Sequence, residues 1–404
     1  MIIGIIGGGA SGMAAAIAAS QNMNNEVIIF ERQSRVGKKL LASGNGRCNL
    51  SNMLALNGGY HGEDLEFPLF ALRAMSPEKT LNWFRALGLY TVCEPSGRVY
   101  PYSDQANSVV DVLRFALQKP NITLCNGYDV QKIVKSENGF IVDNGEAPVF
   151  CNRVVVACGG LAGTKLGGSM AGYKLLGRLG HKSTRLRPAL VQLKTAWKGV
   201  SALKGVRCNC AVEILKDEAI FSQSVGEIQF TDYGLSGPVI FEVSRDVCYG
   251  PGNWRAKLDF LPEMSAQMLL EELLRRKETE LPAEELLTGI LHNRLGRVLT
   301  KAAGIRSDSP IRELSTEALE AVCSVVKNFE IPLDEPMGMD CAQVTAGGVY
   351  TRDFNPETME SRLVPGLFAC GEVLDVDGDC GGYNLQWAWS SGCLAGSSAG
   401  KENL

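Results

Sequence analysis

Histidine is nearly missing from this chain, with three in 404 residues: His61, His181 and His292. They stand too far apart to suggest a zinc site, so each reads as a surface or packing residue. There are 13 cysteines but no CxxC, and the closest pair, Cys208 and Cys210, alternates with polar residues on a strand-like stretch. In a long chain without a secretion signal such cysteines read as reduced, mostly buried thiols. No segment has eighteen continuous apolar residues, which excludes a helical membrane span. No long basic run occurs and the net charge is -4, which weighs against nucleic acid as the main partner. Nothing resembling a charged leader precedes the first strand-like segment, so a cytoplasmic location is expected. The final Lys401-Glu402-Asn403-Leu404 resembles an ER-retention tail only superficially. No Ser/His/Asp set has a spacing that suggests nucleophilic catalysis.

Glycine is abundant instead: 45 of 404 residues, about 11% against a usual ~7%. Its first cluster follows an apolar strand-like opening and reads Gly7-Gly8-Gly9-Ala10-Ser11-Gly12, a GxGxxG, before the run Met13-Ala14-Ala15-Ala16. In a strand-turn-helix, Gly7 permits the tight turn, Gly9 lets a pyrophosphate approach the backbone, and Gly12 lets helix and strand pack closely. The helix N-terminus offers N–H groups and partial positive charge to the phosphates. A second strand, Val27-Ile28-Ile29-Phe30, ends at Glu31, nineteen residues after Gly12, where a carboxylate can accept both ribose hydroxyls. The ordered set predicts a dinucleotide-binding βαβ unit.

Periodicity divides the rest. Residues 1–187 read as α/β, with helices near Pro77–Leu87 and Ser108–Gln118, strands at Ile122–Cys125 and Gly139–Val142, and a buried strand Val154–Ala157 entering Cys158-Gly159-Gly160. From 188 to 261 the period becomes two, with Val206, Cys208, Cys210, Val212 and Ile214 on one face, and with strand-like pieces at Ala189–Leu193, Val239–Val243 and Arg255–Phe260. From 262 to 340 it becomes helical, in three apolar faces: Leu269, Leu270, Leu273, Leu274; then Leu286, Leu287, Ile290, Leu291; then Leu319, Val322, Cys323, Val326. Glycine returns in 341–404, where a strand Gly366–Cys370 ends in Gly371-Glu372 and Gly381-Gly382 precedes a helix from about Gln386 to Ala399. Both ends of the chain are thus expected to build one nucleotide domain around the inserted middle.

The loop after Glu31, Val36 to Asn49, carries Lys38, Lys39 and Arg47 among small residues. It reads either as a solvated basic loop or as cations offsetting a diphosphate. The Gly44-Asn45-Gly46 stretch suits backbone approach to a planar ligand. Cys48 reads as a packed thiol, or as a nucleophile without a resolving partner. Cys158-Gly159-Gly160-Leu161-Ala162-Gly163 lacks the first glycine of a second fingerprint, so a dedicated nicotinamide domain is not expected.

GIIGGGASGMAAA, GKKLLASGNGRCNLSN, the ACGG turn, EIQFTDYGLSGP, QVTAGGV and FACGEVLDVDGDCGGYNLQWAWSSG resemble, in order along the whole chain, the BaiN-type family of NAD(P)/FAD-dependent oxidoreductases, which includes aminoacetone oxidase-like members. The resemblance implies a glutathione-reductase-like, Rossmann-type FAD domain interrupted by a β-barrel-like and a small helical insert. It implies that Gly7, Gly9, Ala10, Ser11 and Gly12 hold the diphosphate, and that Glu31 holds the adenosine ribose, with Arg32 and Val130 nearby. Lys38, Lys39, Leu40, Ser43, Gly44, Asn45, Gly46, Arg47, Cys48 and Asn49 would line the flavin side. Ala157, Cys158 and Gly159 would form the central turn, and Gly371, Glu372, Gly382, Asn384, Leu385 and Gln386 the ribityl and ring region. The family commonly reads GDGY after the central turn, whereas Ala171-Gly172-Tyr173 lacks the acid, so no contact is carried over there.

The expected activity is FAD-dependent reduction of a small enone-like molecule fed by NAD(P)H. An amine oxidase using oxygen and an RNA-modifying flavoprotein are the alternatives. Because no histidine lies in a flavin motif, Tyr383 or a bound water is the expected proton donor, with Arg47 stabilising negative charge on the ring or substrate. Substrate is expected to stack on the flavin in a cleft between FAD domain and insert, which would cover the flavin face.

Overall fold

The computed structural model describes residues 1–247 and 249–401; Cys248 and the end of the retention-like tail lie outside the described residues. The chain forms two compact units, Met1–Pro188 with Gln343–Leu404, and Ala189–Ala342.

The first unit is built on a five-stranded sheet in the order Leu367–Ala369, Arg153–Val156, β1 (Ile2–Ile6), β2 (Glu26–Glu31), Ile122–Asn126. Every pairing in it is parallel. Parallel strands are covered on both faces, which is why β1, apart from Gly4, and Val154–Val156 read as branched apolar runs. Ile3, Ile5, Val154, Val155 and Val156 are fully buried. Helix α1 (Ala10–Ala19) lies against the last helix, Tyr383–Ala399, backbone on backbone. A Cβ on Gly392 would stand 2.4 Å from the Ser11 carbonyl oxygen, and one on Gly396 2.1 Å from that of Ala15. The alanine run of α1 and the small residues of the last helix therefore fuse the two distant sequence segments into one domain. A short ladder pairs Tyr60–His61 with Asp377–Gly378, setting His61 opposite Asp377.

The second unit is a six-stranded sheet, ordered Leu193–Lys194, Gly234–Ser236, Ala219–Phe230, Arg207–Lys216, Trp254–Asp259, Phe329–Pro332, with antiparallel pairing throughout. Helices Ala266–Arg275, Asn293–Ala302 and Thr316–Lys327 share its core, in which Cys210, Val212, Ile214 and Leu258 meet Leu269, Leu295 and Leu319. Sheet and helices lie together in one compact unit.

Three sequence expectations need correction here. Pro238–Val243 is a helix, not a strand, because Pro238 at its first turn follows Gly237 at φ 99, and both start helices rather than continue strands. Ala189–Leu193 breaks at Leu190, whose φ is 49, leaving only Arg187–Ala189 and Leu193–Lys194 as strand. Leu286–Leu291 forms turns, since Gly289 at φ 84 stops a helix there, and the helix begins at Asn293 with His292 accepting the Arg294 N–H. Leu286 and Leu287 are nevertheless fully buried.

Candidate functional site

Each glycine of the opening turn has its own reason to be glycine. Gly7 takes φ 106, and a Cβ there would lie 2.5 Å from the Ala157 carbonyl oxygen. A Cβ on Gly12 would stand 1.8 Å from the Gly7 carbonyl oxygen, so helix and turn touch there. Above Gly9 nothing lies within 4 Å, and that open space adjoins the first turn of α1, which has no side-chain cap and no acid. Uncapped N–H groups at the positive end of a helix, beside open space, fit a diphosphate. Ser11 is buried beside them, and Ala10 is half-buried at the rim.

Glu31 ends β2 with its carboxylate buried. One oxygen accepts the Gly8 N–H and the other the Gln33 N–H, both at 2.7 Å. Each oxygen keeps a lone pair for a ribose hydroxyl, so the acid is held in place while remaining an acceptor. Arg32 reaches instead to the Gly167 carbonyl, and Val130 and Ala157 are buried in the core of this unit. The turn after Arg153–Val156 exposes a second open glycine, Gly159 at φ 70, while burial pushes the Cys158 thiol up to about 12.

Lys39 ion-pairs with Glu372 at 2.9 Å, so two residues expected on the cofactor hold each other. Glu372 also accepts the Thr345 N–H, and the Thr345 hydroxyl accepts from Leu161 and Ala162, which ties the central turn to both. Lys38 donates to the Gln33 side chain at 3.3 Å. Beyond buried Leu40, Ser43 donates to the Leu40 carbonyl and opens a tight turn in which Gly44 and Asn45 both sit at φ 56. Gly44, Asn45 and Gly46 are exposed, and the space above Gly46 is open. Cys48 is fully buried, and that burial pushes its thiol up to about 12, so it carries no thiolate at neutral pH and packs rather than attacks. The Asn49 amide nitrogen reaches the Val99 and Ser51 carbonyls.

Two expected roles meet structural competition. The Arg47 guanidinium binds Asp104 at 2.5 Å and Glu94 at 3.5 Å and lies over the Tyr100 ring, and the Asp104 hydrogen bond raises its pKa. Its charge is matched by two acids. Gln386 is fully buried, with its amide bonded to Ser51, Met75, Thr80 and Ser390, so its side chain braces the fold and only its backbone remains for a ligand.

The last helix starts at Gly382, φ 102, and runs 17 residues without a side-chain cap. Half-buried Leu385 belongs to its first turn. Asn384 accepts the Gly378 N–H at 2.8 Å and donates to the Gly378 carbonyl at 2.7 Å, pinning the turn ahead of the helix. Gly371 fits between this helix and α1: a Cβ there would lie 2.5 Å from Ser11 Oγ, and its N–H donates to Ser391. Tyr383 stands edge-on to Tyr60, whose hydroxyl donates to the Tyr383 carbonyl.

Sequence reasoning passed over His61. Its Nε2 lies 2.7 Å from Asp379 Oδ1, within the turn that Asn384 pins. The acid was visible in the carboxy-terminal motif, but nothing near His61 pointed to it. His181, by contrast, is buried and stacked on Phe354.

Over residues 1–398 the chain matches the family described as HI0933-like protein Rossmann domain. It belongs to that family. It is 40% identical, over 98% of each chain, to the 3-dehydro-bile acid delta(4,6)-reductase of Clostridium scindens. It is 31% identical to the ribosomal RNA dihydrouridine synthase of Escherichia coli, over 96% of this chain and 95% of that one. Among solved structures, a 3-ketosteroid delta1-dehydrogenase from Sterolibacterium denitrificans shares the fold with a TM-score of 0.51 at 14% identity, covering 98% of this chain and 99% of that one. By its family and its full-length relative the chain is an FAD-dependent oxidoreductase. The uncapped first turn of α1, the open space at Gly9 and the buried acceptor Glu31 fit that cofactor. Among the described residues no helix is long and apolar enough to cross a membrane, and no group of three His, Cys, Asp or Glu could hold a metal ion.

Proposed function

We propose that this protein uses NAD(P)H to reduce a small molecule carrying a C=C bond conjugated to a carbonyl. The 40% identity to the delta(4,6)-reductase, over nearly the full length of both chains, carries the reading. FAD, when bound, supplies two-electron hydride chemistry between the nicotinamide and the alkene. The protein's part is to hold and polarise. Gly9 and the α1 N-terminus take the diphosphate, Glu31 takes the ribose, and Lys39 places a cation beside the central turn. The first turn of helix Tyr383–Ala399, with no side-chain cap and no acid, offers its positive end to negative charge on a ligand. A 3-oxo-4,6-diene bile acid is the substrate class to try first.

A second reading, reduction of uridine in ribosomal RNA, is favoured by the Escherichia coli relative. The bond reduced in a uracil ring is also a C=C conjugated to a carbonyl, so the two readings share chemistry and differ in what enters the site. Anaerobic mixing with NADH or NADPH, followed by the bile acid or by unmodified ribosomal RNA, separates them. Bleaching of the flavin band by nicotinamide and its return on adding the bile acid supports the first reading. Its return only on adding RNA supports the second. Peroxide released with an amine and no nicotinamide would make the protein an oxidase.

A further inference from the structure

His61 and Asp379 are built as a unit. The backbone ladder sets His61 opposite Asp377 and Tyr60 opposite Gly378. The Asp379 N–H then donates to the Gly59 carbonyl at 2.9 Å, and a Cβ on Gly59 would lie 2.7 Å from the Tyr383 ring. Asn384 ties the same turn to the start of the last helix, so imidazole, carboxylate and phenol-bearing residue occupy one braced patch. The pair is nonetheless accessible, with side-chain exposures of 36% for His61 and 45% for Asp379. The other two histidines are committed: His181 lies inside the core, and His292 caps a helix of the second unit. His61 is thus the one imidazole of the first unit that solvent or a ligand can reach.

From this geometry we infer that His61, oriented by Asp379, is the proton donor of the reduction. The inference rests on the enone-reductase reading above. With Asp379 on Nε2, the ring is fixed in one orientation and Nδ1 is left for the reacting partner. In the reaction the nicotinamide is oxidised and the alkene reduced. A hydride, with its electron pair, adds to the carbon β to the carbonyl, and the π bond breaks toward the α-carbon. That carbon takes the proton of the imidazolium, and the imidazole regains one from water. Asp379 meets the ring, Asp377 is its partner in the ladder, and Asp375 accepts the Glu63 N–H two residues along; Tyr60 and Tyr383, edge to face, are the neighbouring titratable groups. Arg47 has its charge met by Asp104 and Glu94 and is less suited to this role.

The test is His61→Gln in the FAD-loaded enzyme, with Asp379→Asn and Tyr383→Phe beside it. Flavin content and anaerobic bleaching by NADPH should match wild type for His61→Gln, while reduction of a 3-oxo-4,6-diene bile acid falls at least about tenfold. Asp379→Asn should keep its flavin and lose rate. An independent reading comes from holoprotein labelled at histidine Cε1, which gives three resonances. The peak missing in His61→Gln should move on adding the bile acid, and the other two should not. Wild-type rates in His61→Gln, a stationary His61 peak, or a tenfold loss in Tyr383→Phe alone would each overturn the assignment. So would loss of flavin in both His61→Gln and Asp379→Asn, which would make the pair structural. A wild-type enzyme that bleaches with nicotinamide yet reduces no enone overturns the functional reading itself, and this inference with it.

Discussion

Lys39 and Glu372 are 333 residues apart in sequence and 2.9 Å apart in space. They close the two glycine-rich segments over the central turn. Both side chains are partly exposed, so the pair itself is worth at most about 1 kcal/mol of stability. The cation matters for what sits beside it. Lys39→Met should leave the melting temperature within a few degrees of wild type and weaken FAD retention about tenfold, measured by flavin release on dilution or gel filtration. Unchanged retention would make Lys39 a purely structural partner of Glu372.

Gly9 and Gly12 should fail differently. Gly9 has ordinary backbone angles and open space above it, so Gly9→Asp should fold and yet lose FAD through a like charge against the diphosphate. Gly12→Ala forces a methyl onto the Gly7 carbonyl and should cost about 1–3 kcal/mol of stability. Thermal melts with and without added FAD distinguish the two. A colourless Gly9→Asp that melts like FAD-free wild type with or without added FAD, and a destabilised Gly12→Ala, is the expected pair of results.

Acid sensitivity should trace to His181. Burial lowers its pKa against the pull of Asp353, so the folded protein prefers the neutral ring. A folded pKa below the unfolded one gives stability that is present above the unfolded value, about 6.5, and lost as pH falls through the folded one. Asp375 has the opposite sign, since burial raises its pKa and protonation is easier in the fold. The difference in melting temperature between His181→Leu and wild type should therefore shrink on going from pH 7.5 to 5.5. A difference that stays constant would show that His181 does not titrate on unfolding.

Thiol reactivity should follow burial. Cys48, Cys158, Cys370 and Cys393 are all pushed up to about 12 by burial, whereas Cys93 is exposed. Iodoacetamide at pH 7.5 should label Cys93 well before any of those four, as read by peptide mass spectrometry. Rapid alkylation of Cys48 in folded protein would return it to consideration as a nucleophile.

What could be read from the sequence was local or periodic. Gly7, Gly9 and Gly12 state their geometry within six residues, and the alternation of Val206 to Ile214 states which side of a strand is buried. The helix Pro238–Val243 was missed although Gly237-Pro238 is a helix-start signal, because its branched apolar residues satisfy a strand pattern equally well. Leu286 and Leu287 were rightly core, but burial in a turn and burial on a helix leave the same apolar signature. The His61–Asp379 pair spans 318 residues, and only strand pairing brings it together. Likewise nothing in the motif containing Gln386 tells that its amide turns inward to Met75 and Thr80 rather than toward a ligand.

The contact between α1 and the helix Tyr383–Ala399 also sets a schedule for biosynthesis. Ala15 is made within the first moments of translation, yet the surface it must touch, at Gly396, emerges some 380 residues later. At synthesis rates of about 5–20 residues per second, the opening strand and helix wait tens of seconds for that surface to be made. The insert, contiguous in sequence, can fold during that interval. The nucleotide-binding unit therefore becomes whole only after the insert has been made, because its two segments flank residues 189–342.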